Sequence, residues 1–457
     1  MRYDVVCIGS GLGGFTAAVR AARAGARVAL VEKDDLGGSC LKNRLVPALL
    51  LSATAGLHRD FRDAPLGRGT SKCVIDLTAV ENRKEKLWQE LQNRLYALLE
   101  RNRIDFYPGF GFVYTNTTVL VKQNGNELYL DTANIILACG STPAAYIKET
   151  GERLAFISPE EAYALTDLPE SMLVLGGNAE ACSLASTFAE LGVAVTLAVP
   201  GEFLPGMDRD LVTEMSDILL RQGVTILEGT VLREVRHCPG GWRCCLGEGI
   251  NMMVTKIVNA HERWPRTTGM GLEALGITLG RRGEVLVNDR METSVPGIYA
   301  VGEVTGTTVG AQGAAYQGEV AADHILGVPG YFDPDIVPLY LFTIPPAGSI
   351  GLTTEQAQAR GYNVCTGKFA FRDTLGGCLR GHDDGLVKVV ADHLTGRILG
   401  VHIIGRSASE LLVNASLAVH LQVPVEKAYT GAGLVRGTMS EALMEAIADV
   451  RGQSIMV

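Results

Sequence analysis

The residues whose types and spacing could do chemistry stand near the start of the chain. Gly9, Gly11 and Gly14 fall in the run Gly9-Ser10-Gly11-Leu12-Gly13-Gly14, and Glu32 follows Gly14 by 18 residues. Glycines at these offsets suit a pyrophosphate. Gly9 permits a tight turn, Gly11 leaves the backbone bare, and Gly14 lets a helix pack closely on a strand. A helix opening at that turn would offer free N–H groups and the positive end of its dipole to the phosphates. Glu32 could accept hydrogen bonds from ribose hydroxyls, so the expected chemistry is the holding of a dinucleotide. Cys40 invites a reading as nucleophile, but a small buried residue in a tight turn is the expectation. Arg436 either binds an anionic substrate or partner or closes a salt bridge with Glu441 or another acid. His261, His382 and the other histidines have no partners at ligand spacing, and no C-x-x-C or Cys/His cluster occurs, so no metal is expected.

The elements that must position these groups follow from pattern. Val5 to Ile8 is an apolar run, Phe15 to Ala24 are good helix formers ended by Gly25, and Val28 to Val31 is a second apolar run. That is strand, turn, helix, strand. Gly37 to Leu41 opens a further element, with Pro47 in or just before its first turn. Residues 75 to 103 alternate charge and Leu/Trp at helical spacing, as an amphipathic surface helix does. GFGFV, VLVKQ and LYLDT read as short antiparallel strands, and Ile135 to Leu137 as a separate buried strand running into Gly140. At Met172 the opening unit recurs: Gly9 to Gly25 and Gly176 to Gly192 both span 16 residues. The copy is worn. Asn178 stands for Gly11, Ala181 for Gly14 and Val199 for Glu32, so an amide is expected where a pyrophosphate needs bare backbone, and the ribose finds no acceptor. Some anion affinity should survive at the helix N-terminus. Residues 296 to 303 form another strand and turn with a helix over 311–326, and Cys244-Cys245 reads as part of a strand. Beyond 334, strands and helices alternate as in an α+β domain.

At 457 residues the chain is too long for one core, and about three domains are expected. The formal charge is −9 with no long basic run, which argues against nucleic acid. No apolar run approaches the roughly 20 residues that span a bilayer. Met1 to Tyr3 leads straight into a strand, so no secretory signal is expected. The ten cysteines are scattered, and a cytoplasmic, reducing setting is the default reading.

These pieces in this order resemble the flavin-dependent pyridine nucleotide–disulfide oxidoreductases, on VPGIYAVGE (295–303), FTIPPAGSIGLTTEQA (342–357) and TGRILGVHIIGRSASELL (395–412) most of all. The resemblance implies an α/β fold. Two nested Rossmann-like domains of FAD and NAD type would be followed by a C-terminal α+β dimerisation domain. Its segments would be 1–145 (FAD, first part), 146–266 (NAD-like), 267–330 (FAD, return) and 331–457 (interface), assembled as a homodimer. FAD would lie along Gly9, Gly11 and Gly14 with Glu32 on its adenosine ribose. Lys33, Gly38, Ser39, Gly140 and Gly302 would adjoin it, and Glu303 would take the ribityl chain. Three departures accompany the resemblance. In GGSCLKNRLVPAL, Cys40 remains, but Leu45 stands at the second redox cysteine and Leu49 at the lysine that the family pairs with a glutamate, here Ser183. The family's C-terminal histidine is Arg436, which cannot shuttle protons near neutral pH. Thiol–disulfide chemistry needs a dithiol and a base. The expectation is therefore an oxidoreductase working through FAD alone. NAD(P)(H) would bind weakly or not at all, and a redox protein or small molecule would serve as partner. The alternative is a catalytically silent FAD-binding subunit kept for assembly or binding.

Overall fold

A computed structural model describes residues 2–63, 75–144, 156–247, 249–306, 310–380, 384–429 and 435–455. The chain forms two compact units that alternate along the sequence. The first comprises Met1–Pro47, Glu81–Ala144 and Glu262–Val337; the second comprises Ala48–Val80, Ala145–His261 and Pro338–Val457.

The first unit is built on a parallel sheet ordered Asp105–Pro108, Val28–Glu32, Tyr3–Ile8, Asn126–Leu137, with Ile298–Ala300 paired parallel to the end of the last strand. Val5 faces Val28 on one side and Asn134 on the other. Val5, Val6 and Cys7 are fully buried, which is why this strand is apolar at consecutive positions rather than alternate ones. The helix Leu12–Arg23 follows and packs against Gly310–Ile325. The separate strands expected at 128–132 and 135–137 are one element. Asn126–Leu137 starts as an antiparallel partner of Thr118–Gln123, exposed from Asn126 to Tyr129, and ends in the parallel sheet with Ile135, Ile136 and Leu137 fully buried. No break separates them because Asp131 to Asn134 still alternate in burial, so the backbone has no reason to leave the extended region.

In the second unit, a four-stranded parallel sheet orders Thr225–Glu228, Ala194–Val199, Ser171–Leu175 and Lys256–Asn259. The strand containing Cys244 and Cys245, Gly241–Leu246, is the middle of a separate three-stranded antiparallel sheet. Residues 338 onward form a five-stranded antiparallel sheet with Ala408–His420 and Ser440–Asp449 on it. This is the α/β arrangement with an α+β C-terminal region that the resemblance implies. Lys388, in the strand Leu386–Asp392, drives its ammonium between both oxygens of Asp208 (2.7 and 2.8 Å) and one of Asp210 (2.7 Å). His402 is core, 1% exposed and bonded to Ser349 and the Leu352 carbonyl. His382 lies outside the described residues. Among the described residues no helix is long and apolar enough to cross a membrane, and no group of three His, Cys, Asp or Glu could hold a metal ion.

Candidate functional site

The first glycine turn is shaped by close approach. Gly9 has φ +103°, and a Cβ added there would lie 2.3 Å from the Ala138 carbonyl oxygen. One on Gly14 would lie 2.1 Å from the Gly9 carbonyl oxygen and 2.7 Å from the Ala138 methyl. Gly11 is different: a Cβ there meets nothing within 4 Å, so its surroundings are open. Gly11 is also the N-cap of Leu12–Arg23. It makes no side-chain cap, and no acid stands in the first turn, so the helix offers its N–H groups and dipole without an acid within that turn. The pyrophosphate end of a dinucleotide fits this cradle. Gly38 closes one side of it, since an added Cβ there would sit 2.8 Å from the Gly11 Cα. Ser39 follows without a side-chain cap, and Lys33 is half-exposed beside Asp34 at 3.8 Å.

Glu32 is only 8% exposed, and three donors from two residues already reach it. Oε2 accepts from the Ser10 N–H and hydroxyl, both at 2.8 Å, and Oε1 accepts from the Asp34 N–H at 3.0 Å. The Ser10 hydroxyl in turn accepts from Gly37 N–H at 2.9 Å. Ser10 therefore ties the loop 34–37 to the glycine turn, a role that its sequence context, a serine between two glycines, does not announce. With about four lone-pair positions on a carboxylate, Glu32 keeps roughly one for a ribose.

Glu303 lies just past the C-terminal end of the strand Ile298–Ala300, where ligands of open parallel sheets gather. It sits in a cationic grip. Oε1 meets Arg44 Nη1 at 2.6 Å; Oε2 accepts from the Ser141 hydroxyl and lies 3.5 Å from Arg263 Nε. Arg263 Nε donates to the same Ser141 hydroxyl at 2.8 Å. The antiparallel pair Ser141–Pro143 and Arg263–Pro265 brings those two residues together. Burial pushes the Glu303 carboxyl up, but the charges of Arg44 and then Arg263, with the hydrogen bonds of Ser141 and Arg44, outweigh it and hold the pKa at about 2. Arg44, Arg263 and Ser141 were not legible as site residues, since Arg44 and Glu303 are 259 positions apart. Gly140 (φ +69°) accepts from Arg266 N–H at 3.0 Å, and the Gly302 N–H is bound to Gln317 at 2.7 Å.

Cys40 departs from expectation. It is half-buried rather than buried, and it starts a π-helical run, Cys40–Leu45, that leads into the helix Val46–Asp63. The Val46 N–H reaches back to the Leu41 carbonyl, five residues away, and no residue of the run is fully buried. Pro47 falls in the first turn of the following helix.

The second turn is organised differently. Asn178 does not stand in the way of a ligand as an outward amide. Its Oδ1 accepts the Ala181 N–H at 2.9 Å as N-cap of Ala179–Glu190, and its Nδ2 donates to the Ala260 carbonyl at 2.8 Å. The reason is that an N-cap asparagine satisfies a helix donor that would otherwise be orphaned. Glu180 adds a carboxylate to the first turn. Anion affinity was expected to survive here, but one N–H is taken and the dipole already has an acid beside it. Val199 is buried. Ser183 Oγ donates to the Ala179 carbonyl (2.7 Å) and accepts from Phe342 N–H (3.0 Å), a structural peg for the C-terminal sheet.

Of the two readings left open for Arg436, the ion pair is the one observed. Its Nη1 lies 4.0 Å from Glu441 and 3.8 Å from a second acid, Glu445, while the guanidinium side chain remains 47% exposed. Glu441 is fully buried and takes the N–H groups of Gly437 and Leu375, both at 3.0 Å. His261 is exposed.

Known proteins agree with this layout. Residues 3–318 match the family model of pyridine nucleotide-disulphide oxidoreductases, and residues 337–447 match that family's dimerisation domain. The chain is 31% identical over 472 residues to a dihydrolipoyl dehydrogenase of Bacillus subtilis, covering 99% of each. It is 33% identical over 470 residues to that of Thermus scotoductus, covering 100% of this chain and 99% of the relative. The crystal structure of LpdA from Mycobacterium tuberculosis superposes with TM-score 0.88 over 97% of this chain and 99% of that one; at 24% identity it speaks for the fold. With an open glycine cradle at 9–14 and a match running almost end to end, the chain belongs to the pyridine nucleotide-disulphide oxidoreductases, a family of flavin-dependent oxidoreductases, and is dihydrolipoyl dehydrogenase-like.

Proposed function

We propose that the chain is an FAD-dependent oxidoreductase that passes electrons through the flavin without a redox-active dithiol. The observation that carries this reading is the contrast between its two turns. One helix N-terminus is uncapped, free of acid and open at Gly11; the other is capped by Asn178 and carries Glu180. One strong dinucleotide site is the consequence, with NAD(P)(H) held weakly if at all. Gly9, Gly11 and Gly14 would hold the pyrophosphate, and Glu32 the adenosine ribose with its remaining acceptor. Lys33, Gly38, Ser39, Gly140, Gly302 and Glu303 would line the rest. When bound, the flavin supplies the capacity to accept and release two electrons. Leu45 offers no second thiol beside Cys40, and Arg436, paired to Glu441 and Glu445, offers no proton near neutral pH. The protein would work as a cytoplasmic homodimer through its dimerisation region. Its electrons would come from a redox protein or loosely bound NAD(P)H and go to a quinone, oxygen or another redox protein. Residues 1–145 and 267–330 are proposed as the flavin domain, 146–266 as the worn nucleotide domain and 331–457 as the interface.

A silent FAD-binding subunit is favoured by one observation: Ser183 and Asn178 serve the fold at positions where the family resemblance implies chemistry. Anaerobic titration separates the readings. The flavin enzyme should take up two electrons per chain and be reoxidised by quinone. Uptake of four electrons would overturn the dithiol-free reading, and flavin that no donor or acceptor turns over would favour the silent subunit.

A further inference from the structure

Glu303 is the carboxylate of the candidate flavin site that two guanidinium groups grip, and that is unexpected for a group facing a ligand. The parallel sheet sets the direction of any dinucleotide. With its pyrophosphate at the end of Tyr3–Ile8 and its adenosine toward Glu32 at the end of Val28–Glu32, the other half would run over the ends of Asn126–Leu137 and Ile298–Ala300. That half carries hydroxyls, and Glu303 is the acid at those strand ends. Yet Oε1 is taken by Arg44 at 2.6 Å, and Oε2 is shared by the Ser141 hydroxyl and Arg263 at 3.5 Å. Arg44 belongs to the same loop whose Gly38 abuts Gly11, so it reaches Glu303 from the wall of the cradle. Its side chain is mostly buried. Arg263 and Ser141 are held by the two-stranded pair at 141–143 and 263–265, whereas Arg44 comes from the π-helical run and stands outside that pair.

We propose, resting on the flavin reading above, that Arg44 is an affinity-setting residue: it is an internal counter-ion on Glu303 that the hydroxyl-bearing half of the flavin must displace, so that flavin loads by exchange with Arg44. The acid remains neutralised by Arg263 after the exchange, which keeps the charge balance of the site whether or not flavin is bound. The exchange also lets the flavin-free chain keep a satisfied carboxylate, so the apoprotein should stay folded.

The test is FAD binding to apoprotein by calorimetry and by quenching of flavin fluorescence, for the wild-type chain, Arg44→Met, Arg44→Lys, Glu303→Gln and the Arg44→Met/Glu303→Gln double variant. Freeing one charge-assisted acceptor should tighten FAD roughly tenfold in Arg44→Met. Arg44→Lys should return toward wild type. In the Glu303→Gln background the Arg44→Met effect should vanish, because the exchange has lost its carboxylate. Equal or weaker binding by Arg44→Met while wild type binds would overturn the exchange. The same gain with or without the Glu303 charge would also overturn it and assign Arg44 a general electrostatic role. If neither wild type nor any variant takes up FAD, the flavin reading itself fails. Circular dichroism and melting of each variant identify any that do not fold, and Arg44→Gln, which also removes the positive charge, stands in for Arg44→Met in that event.

Discussion

Replacing Lys388 by methionine should be the most damaging conservative-volume change in the second unit. The Lys388 side chain is 6% exposed and Asp208 is 0% exposed, with Nζ at 2.7 and 2.8 Å from the two Asp208 oxygens. Methionine keeps the apolar stem but strips Asp208 of its counter-charge. Asp208 would retain its donors: the Asp210 N–H at 3.0 Å, where it caps Arg209–Arg221, and Thr354 N–H and hydroxyl at 3.3 and 3.2 Å. Breaking a buried pair on one side costs about 3–5 kcal/mol; those donors place Lys388→Met at the lower end, about 3 kcal/mol. At roughly 2–4 °C per kcal/mol for domains of this size, the melting temperature should fall by about 6–12 °C. Asp208→Asn should lose less, because the cap survives and Lys388 keeps Asp210 at 2.7 Å. The pH dependence follows from the shifts. Burial raises the Asp208 carboxyl, but its hydrogen bond to Lys388 and the charges of His402 and Lys388 hold it below the ordinary carboxylate value. A depressed carboxyl contributes stability that is present above its unfolded pKa, about 3.9, and lost as pH falls through the folded one. Burial likewise lowers Lys388, and the Asp208 and Asp210 bonds raise it further than that, so its share is lost only as pH rises past its ordinary value. The penalty of Lys388→Met should thus be flat from about pH 5 to 9 and shrink in acid below about pH 4. Calorimetry across pH reads it. A penalty under about 1 kcal/mol at pH 7, as for an exposed pair, or one that grows in acid, would refute the reasoning.

Two further predictions concern the turns. Gly11→Ala should leave melting unchanged, since its Cβ meets nothing, yet lose most bound FAD. Gly14→Ala, whose Cβ would lie 2.1 Å from the Gly9 carbonyl oxygen, should destabilise the first unit outright; equal melting of the two would show that the cradle is misassigned. At the second turn, Asn178→Gly with Glu180→Ala should uncap Ala181 N–H and strengthen NADH binding in calorimetry by about 1–2 kcal/mol, roughly five- to thirtyfold. No change would mean that the cap and the acid are not what weakens this site.

Much of the fold could be read from local pattern. The unit from Asp4 to Lys33 declares itself because burial periodicity and left-handed or close-packed glycines are properties of a few adjacent residues, and its worn copy at 172–199 is legible for the same reason. The glycine turn itself follows directly: the chain crowds Gly9 and Gly14, whereas Gly11 faces open space, where the proposed dinucleotide would need bare backbone. What stayed hidden is the partnership of polar groups. Asn178 looks like an obstruction in sequence and is a cap in space. Glu32 looks like a free acceptor and is already held by Ser10 and Asp34. Arg44 meets Glu303 across 259 residues and Lys388 meets Asp208 across 180. Hydrophobic burial is non-directional, so a pattern of apolar residues along the chain suffices to announce an element. A charge or hydrogen-bonding group is completed by one donor at one distance, and only the return of the chain through the sheets decides which donor that is.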